Sequence, residues 1–296
     1  DIDATATSGW NSGAGFSSLA RFYGEFDGLG HTVSNLTINR PTTNLVGLFS
    51  RIDGGVVRNI GVSSGTISGQ SSVGGLIGYM DKADLYNSYS GANVTGTQNS
   101  VGGLIGKMSY SNTSYTIYKV YATGDVTHNH TSASYSGIGG LVGDIATNSS
   151  NNASQYIKNS YATGDVKGSK YVGGLVGNGA NFIIEDSYAT GAVSSINGVS
   201  SLGIGGLVGR ISTSYSGTSK ILRSYSTSTV DAVTLGTNGQ NIGGLVGEAS
   251  TDSNANSTVN TLTIERSYAT GNVSGRDGVG GLIGHTANAT ISNSFA

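Results

Sequence analysis

Seven Gly-Gly pairs, beginning at Gly74, Gly102, Gly139, Gly173, Gly205, Gly243 and Gly280, recur every 28 to 38 residues, each followed by leucine, a β-branched residue and a third glycine. Between them runs a second phrase, in six copies: "NSYSGANV", "KVYATGDV", "NSYATGDV", "DSYATGAV", "RSYSTSTV" and "RSYATGNV". A period of this size means stacked units, each too small to bury its own apolar face. A degenerate earlier copy, "NLVGLFS", puts Gly47 and Leu48 one repeat ahead of Gly75 and Leu76. The closing "NSFA" puts Phe295 in the tyrosine place, as expected of a piece of a longer array or an array with a separate cap.

The fixed text is rich in valine, isoleucine, tyrosine and threonine, which suit a pleated, half-buried surface. Its glycines would each cost about 1 kcal/mol in a helix. The shortest repeat divides into "GGLIGYM", "DLYNSYS" and "ANVTGTQ". The expectation is an all-β parallel β-solenoid (β-helix) of about eight to nine coils with three short strands per coil. At ~4.8 Å per coil the rod is about 40 Å long. Residues 1–44 are read as a leading coil segment and 45–296 as the repeat array continuing the same solenoid, one elongated domain.

Stacking turns repeated positions into ladders. Tyr89, Tyr121, Tyr161, Tyr188, Tyr225, Tyr268 and Phe295 form an aromatic one, in which offset rings add about 0.5–1.5 kcal/mol per pair. Val94, Val126, Val166, Val193, Val230 and Val273 form a second, assigned to the core. Asn87, Asn159 and Asn293 precede the aromatic position by two, where an amide can serve both the turn and the next coil; Asp186, Arg223 and Arg266 interrupt that row. The glycine phrase poses a conflict. In a straight strand the β-branched residues at 73 and 77 face opposite to Leu76, leaving one apolar stripe outside. A bend at the glycine pair, which glycine permits, removes it.

Length varies at two places, after "GGLxG" and after the valine, so insertions are expected as surface loops at coil corners. Tyr110, Tyr115, Tyr118, Tyr135, Tyr156 and Tyr215 are placed in these loops, among Ser, Thr and Asn. Rigid amphipathic rings among small polar residues is a combination found in binding loops. These tyrosines are the candidate ligand contacts; covering the flank of the rod is the competing role.

Composition narrows the function. Charged residues make up 11% with a net charge of -2, so no basic footprint exists for nucleic acid. No apolar run reaches the length of a spanning helix, and no membrane insertion is expected. Without cysteine there is no disulfide or thiolate metal site. The first residues, "DIDATATSGW", lack the basic start and apolar run of a signal peptide.

Stretches such as "VGGLVGNGANFIIEDSYATGAVSS", with the leading "FYGEFDGLGHTVSNLTINRP", resemble the GLUG-type repeat region of large exported bacterial surface proteins, haemagglutinin-like adhesins of the filamentous type and some secreted proteases among them. The resemblance covers nearly the whole chain. It implies a right-handed β-solenoid outside the cell, a stalk or adhesive part facing host or microbial surfaces and their glycans. In the proteases the catalytic motif lies elsewhere, and no "HExxH" occurs here.

Other constellations are weaker. Asp125 and Asp165 share one repeat position and so lie about 5 Å apart, a spacing compatible with glycoside hydrolysis or with a weak Ca2+ site. Other coils carry Ala192, Thr229 and Asn272 there, and no base clusters beside the pair. His128 and His130 lack a third metal ligand, and His31 reads as part of a glycine turn with Asp27. A threonine row, Thr123, Thr163, Thr190, Thr227 and Thr270, raises ice binding, which needs a second parallel row. The expectation is a structural and adhesive, non-enzymatic segment without a cofactor, capable of end-to-end or lateral self-association. A carbohydrate-active or carbohydrate-binding β-helix and an ice-binding solenoid are the alternatives.

Overall fold

In a computed structural model the chain winds into one rod of stacked coils. The structure describes residues 1–109, 113–130, 136–146, 154–196, 202–212, 218–232, 240–250 and 262–296. The tyrosine positions build a nine-stranded sheet running from Ile2–Asp3 to Tyr268–Ala269, with Phe295 bridged to Tyr268 beyond it. An eight-stranded sheet carries the valines and a seven-stranded one the first glycines. A fifteen-stranded sheet joins two further ladders through Ile77–Tyr86. Pairing is parallel and in the register read from the repeats: Tyr89 with Tyr121, Val94 with Val126, Val101 with Ile138, Gly102 with Gly139.

A full coil has five short strands, not the three expected. One coil runs Val101–Gly102, Ile105–Met108, Thr116–Tyr118, Tyr121–Ala122 and Val126–His128. Three local devices cut it. The glycine pair bends the chain, a left-handed residue precedes the tyrosine strand, and a turn at the Thr-Gly-Asp triplet precedes the valine. In this coil the fourth break coincides with an insertion, although Val176–Gly179 and Phe182–Glu185 are parted without one; earlier coils keep Phe49–Arg58 and Ile77–Tyr86 as unbroken ten-residue strands.

The bend at the glycine pair resolves the conflict. Val101, Leu104 and Ile105 are all fully buried, as are Val172, Leu175 and Val176. All three ladders therefore reach one core. A Cβ on Gly140 would stand 2.0 Å from the Gly174 carbonyl oxygen and 2.9 Å from the Ala162 Cβ. Only a hydrogen fits, and the residue facing it must be small. That explains why each ladder tyrosine is followed by serine or alanine: Ser90, Ala122, Ala162, Ala189, Ser226 and Ala269.

Residues 1–44 join the same ladders through Ile2–Asp3, Glu25–Asp27, Thr32–Ser34 and Leu36–Asn39. A 3-10 segment, Thr5–Gly13, lies against Leu36–Asn39. Phe22, Phe26 and Phe49 cluster with centroids 5.3 to 6.2 Å apart. In "FDGLGHT" the Asp27 carboxylate accepts the Leu29 N–H at 2.9 Å, not His31, whose ring meets the amino terminus of Asp1. Arg58 and Asn59 also bond Asp27, and with Leu29 they hold its pKa down at about 2, the Asn59 amide contributing most.

Candidate functional site

The turn before each tyrosine is the most constrained part of the coil. Asn59, Asn87, Lys119, Asn159, Asp186, Arg223, Arg266 and Asn293 all have φ between 47° and 55°, the left-handed region, which short polar side chains tolerate best. The Asn87 amide donates to Asn59 Oδ1 at 3.2 Å, linking coils as expected. Lys119, Arg223 and Arg266 hold the same backbone shape without that chemistry.

The left-handed residue lifts the backbone off the ladder, and a buried serine ladder repairs the break. Ser88, Ser160, Ser187, Ser224 and Ser267 are at most 1% exposed. Each hydroxyl donates to the carbonyl two residues back, as Ser187 does to Glu185 at 2.8 Å. The same oxygen accepts an N–H from the preceding coil: Ser160 to Ser187 at 3.1 Å, Ser187 to Ser224 at 3.1 Å, Ser224 to Ser267 at 3.2 Å. Sequence reasoning passed over these serines, although five of the six phrases carry one before the tyrosine; the exception is Val120.

The tyrosines stack as expected, centroids 4.7 to 5.2 Å apart and planes within 7° of parallel. The separation follows the coil spacing and exceeds ~3.5–4.0 Å carbon contact, so the rings are offset. Burial and then the neighbouring hydroxyls push the Tyr121 and Tyr225 phenols up. Each ring face inside the ladder is covered by the next ring, and at its start Tyr89 lies against Gly61, where a Cβ would stand 2.2 Å from Cε1. A sugar therefore has no ring face within the ladder to stack on; edges and hydroxyls face outward.

The charged rows are compensated along the rod. Lys107 meets Asp144 at 3.6 Å, and Asn178 donates to Asp144 at 2.8 Å. Burial nonetheless holds the Asp144 carboxyl above its ordinary range, with Lys107 opposing. Arg210 pairs with Glu248 at 3.7 Å and its guanidinium covers the Tyr171 ring. Arg223 bridges Glu185 and Asp186 and, ahead of Lys158 at Glu185, lowers both carboxyls.

Asp125 and Asp165 stand on an exposed corner, and their Oδ1 atoms are engaged in the stack. Asn93, Asp125 and Asp165 each accept the N–H of the next coil's residue, at 2.8 to 2.9 Å. Their spacing lets each Oδ1 bridge one coil to the next. The threonines form a single exposed row where the chain bends, not a plane of two rows. His128 is buried, its Nδ1 3.2 Å from Ser169 Oγ, whereas His130 is exposed with its centroid 6.4 Å away. Among the described residues no three His, Asp or Glu side chains converge on a metal position.

Of the candidate contact tyrosines, Tyr110, Tyr135 and Tyr215 lie outside the described residues. Tyr115 is not a loop contact: it is 4% exposed and belongs to the core. The strand resumes earlier than expected after the insertion, and Tyr115 falls on its inward side, with its N–H on Gln155 Oε1 at 3.1 Å. Tyr118 and Tyr156 are half-buried on the outer side of Thr116–Tyr118 and Gln155–Lys158, under Lys119 and Lys158 ammonium groups at 5.3 and 4.8 Å. They flank the insertions instead of forming loop tips.

Comparison with known proteins agrees with this geometry. Residues 168–194 match the GLUG motif, spanning one glycine pair and the tyrosine-valine phrase that follows it. A stretch of 106 residues, 32% of this chain, is 40% identical to Halomucin of Haloquadratum walsbyi (strain DSM 16790 / HBSQ001), and spans 1% of that protein's length. All of the chain superposes on 82% of a protein from Bacteroides ovatus proposed to be an immunoglobulin A1 protease, with a TM-score of 0.52 and 20% identity, a likeness of fold alone. The repeats are a GLUG-repeat region with a parallel β-solenoid fold.

Proposed function

We propose that this GLUG-repeat region is a structural and adhesive segment of a surface or secreted protein, a stiff rod that carries variable corner loops away from the cell. The observation that supports it most is the confinement of length variation to two corners while every ladder keeps its register across the insertions. The faces of the rod point the same way. Several of their charges are paired between coils, as Lys107 is with Asp144 and Arg223 with Glu185, and their tyrosine ring faces are covered, which favours recognition by the loops. On this reading the segment is not an enzyme, has no resident cofactor, and meets host or microbial glycans through residues in and beside the insertions.

The test is a binding screen against immobilised glycans, with new reducing ends and unsaturated products assayed in the same wells. Binding without product, lost when residues 110–114 are shortened and retained when exposed Thr190 becomes alanine, supports the proposal. Product formation overturns it in favour of a carbohydrate-active enzyme. Binding that survives removal of every insertion assigns contact to the rod itself.

A further inference from the structure

At the leading end of the rod an apolar cavity of about 300 Å3 opens between the Thr5–Gly13 segment and the first core layer. Its inner wall is made by Val33, Leu36, Leu48 and Phe49, all buried. Trp10 and Leu19 also line it and are 49% and 43% exposed. Two polar side chains touch the lining: Asp3, which is exposed and engaged through Oδ1, and buried Thr7. The Asp3 carboxylate accepts from the Thr5 N–H, the Thr5 hydroxyl and the Asn35 amide at 2.6 to 3.0 Å. The Thr7 hydroxyl donates to the Ala4 carbonyl at 2.6 Å and accepts the Thr37 N–H at 3.0 Å.

A cavity whose inner wall is wholly apolar is a poor host for water, which needs two to four polar partners. Even an apolar cavity of ~150 Å3 takes up benzene, and ligand pockets begin near ~300 Å3. The geometry points to a binding site for a small, wholly apolar molecule or chain end, an aromatic ring or a short hydrocarbon. A ligand carrying a buried charge or amide would leave it unpaired and is excluded by that penalty. The site is independent of the corner loops and of the adhesive role.

The chain's single tryptophan makes the test direct, because Trp10 lines this cavity. Benzene represents the ring and hexan-1-ol a soluble straight chain; each is titrated into the intact protein while Trp10 emission and the methyl NMR signals of Val33, Leu36 and Leu48 are followed. A saturable blue shift, with shifts at those methyls, is expected for at least one probe, and the probe that saturates says whether ring or chain fits. Ala4→Leu and Leu48→Phe fill the space from two walls. In whichever variant keeps the parent's circular dichroism, binding should weaken by about tenfold or more, roughly 1.4 kcal/mol. A linear response, or the same saturation in a folded filled variant, overturns the assignment.

Discussion

Replacing Ser187 by alanine should destabilise the rod far more than the loss of one oxygen from an abundant residue suggests. The hydroxyl is 1% exposed and holds two bonds, donating to Glu185 and accepting the Ser160 N–H at 3.1 Å. The Glu185 carbonyl keeps a partner without it, since the Asn159 N–H also reaches it at 3.0 Å. Ser160 N–H has no such reserve, and a buried donor left without a partner costs ~1–3 kcal/mol beside ~1 kcal/mol for the bond given up. Ser187→Ala is therefore expected to cost about 2–4 kcal/mol in urea unfolding followed by circular dichroism.

The chain supplies its own control for that reasoning. Val120 occupies the serine place in one coil and offers no hydroxyl to the Ser88 N–H. Val120→Thr puts an oxygen there at nearly constant volume and should be neutral or stabilising by up to about 1 kcal/mol. Val126→Thr, at a buried ladder position with no donor to serve, should lose about 1–3 kcal/mol. If Ser187→Ala costs less than about 0.5 kcal/mol, or the two threonine variants behave alike, the serine ladder is not what carries the backbone across the left-handed turn.

Three further outcomes follow from the same geometry. Lys119, at φ 54°, should gain about 0.5–1 kcal/mol on replacement by asparagine, read as a raised urea midpoint at unchanged m-value. Gly140→Ala forces a methyl against the Gly174 carbonyl and should cost about 3 kcal/mol or more, seen as loss of soluble folded protein. Burial depresses His128 from 6.5 to about 4, so the unfolded chain binds its proton first as pH falls. Stability should be fully present above about pH 6.5 and decline toward pH 4 by up to ~3 kcal/mol, and His128→Gln should flatten that slope in urea midpoints measured across the range.

What the sequence made legible was whatever repeats at one place in every coil. The tyrosine and valine ladders and the glycine bend come from identity at fixed positions, because parallel in-register stacking converts a repeated residue into a neighbour of itself. The number of strands per coil was not legible in that way. A strand ends where one residue turns left-handed, and Lys119 or Arg223 at that place gives no compositional warning. Tyr115 was misplaced for a related reason: the insertion before it repeats no phrase of the other coils, so the sequence does not say where the strand resumes and hence which side Tyr115 faces.

The same physics explains why function stays harder to see than fold. Each repeated position is held by its copies above and below, and a substitution there disturbs two interfaces at once, as the glycine and serine positions show. On the proposed adhesive reading, contact chemistry belongs to the insertions, where the sequence varies in length from repeat to repeat. Those segments carry no repeated phrase, so the ladder argument says nothing about their partners. A rod built this way can change what it touches without changing what holds it together, and its ligand has to be found by exchanging loops on a constant frame.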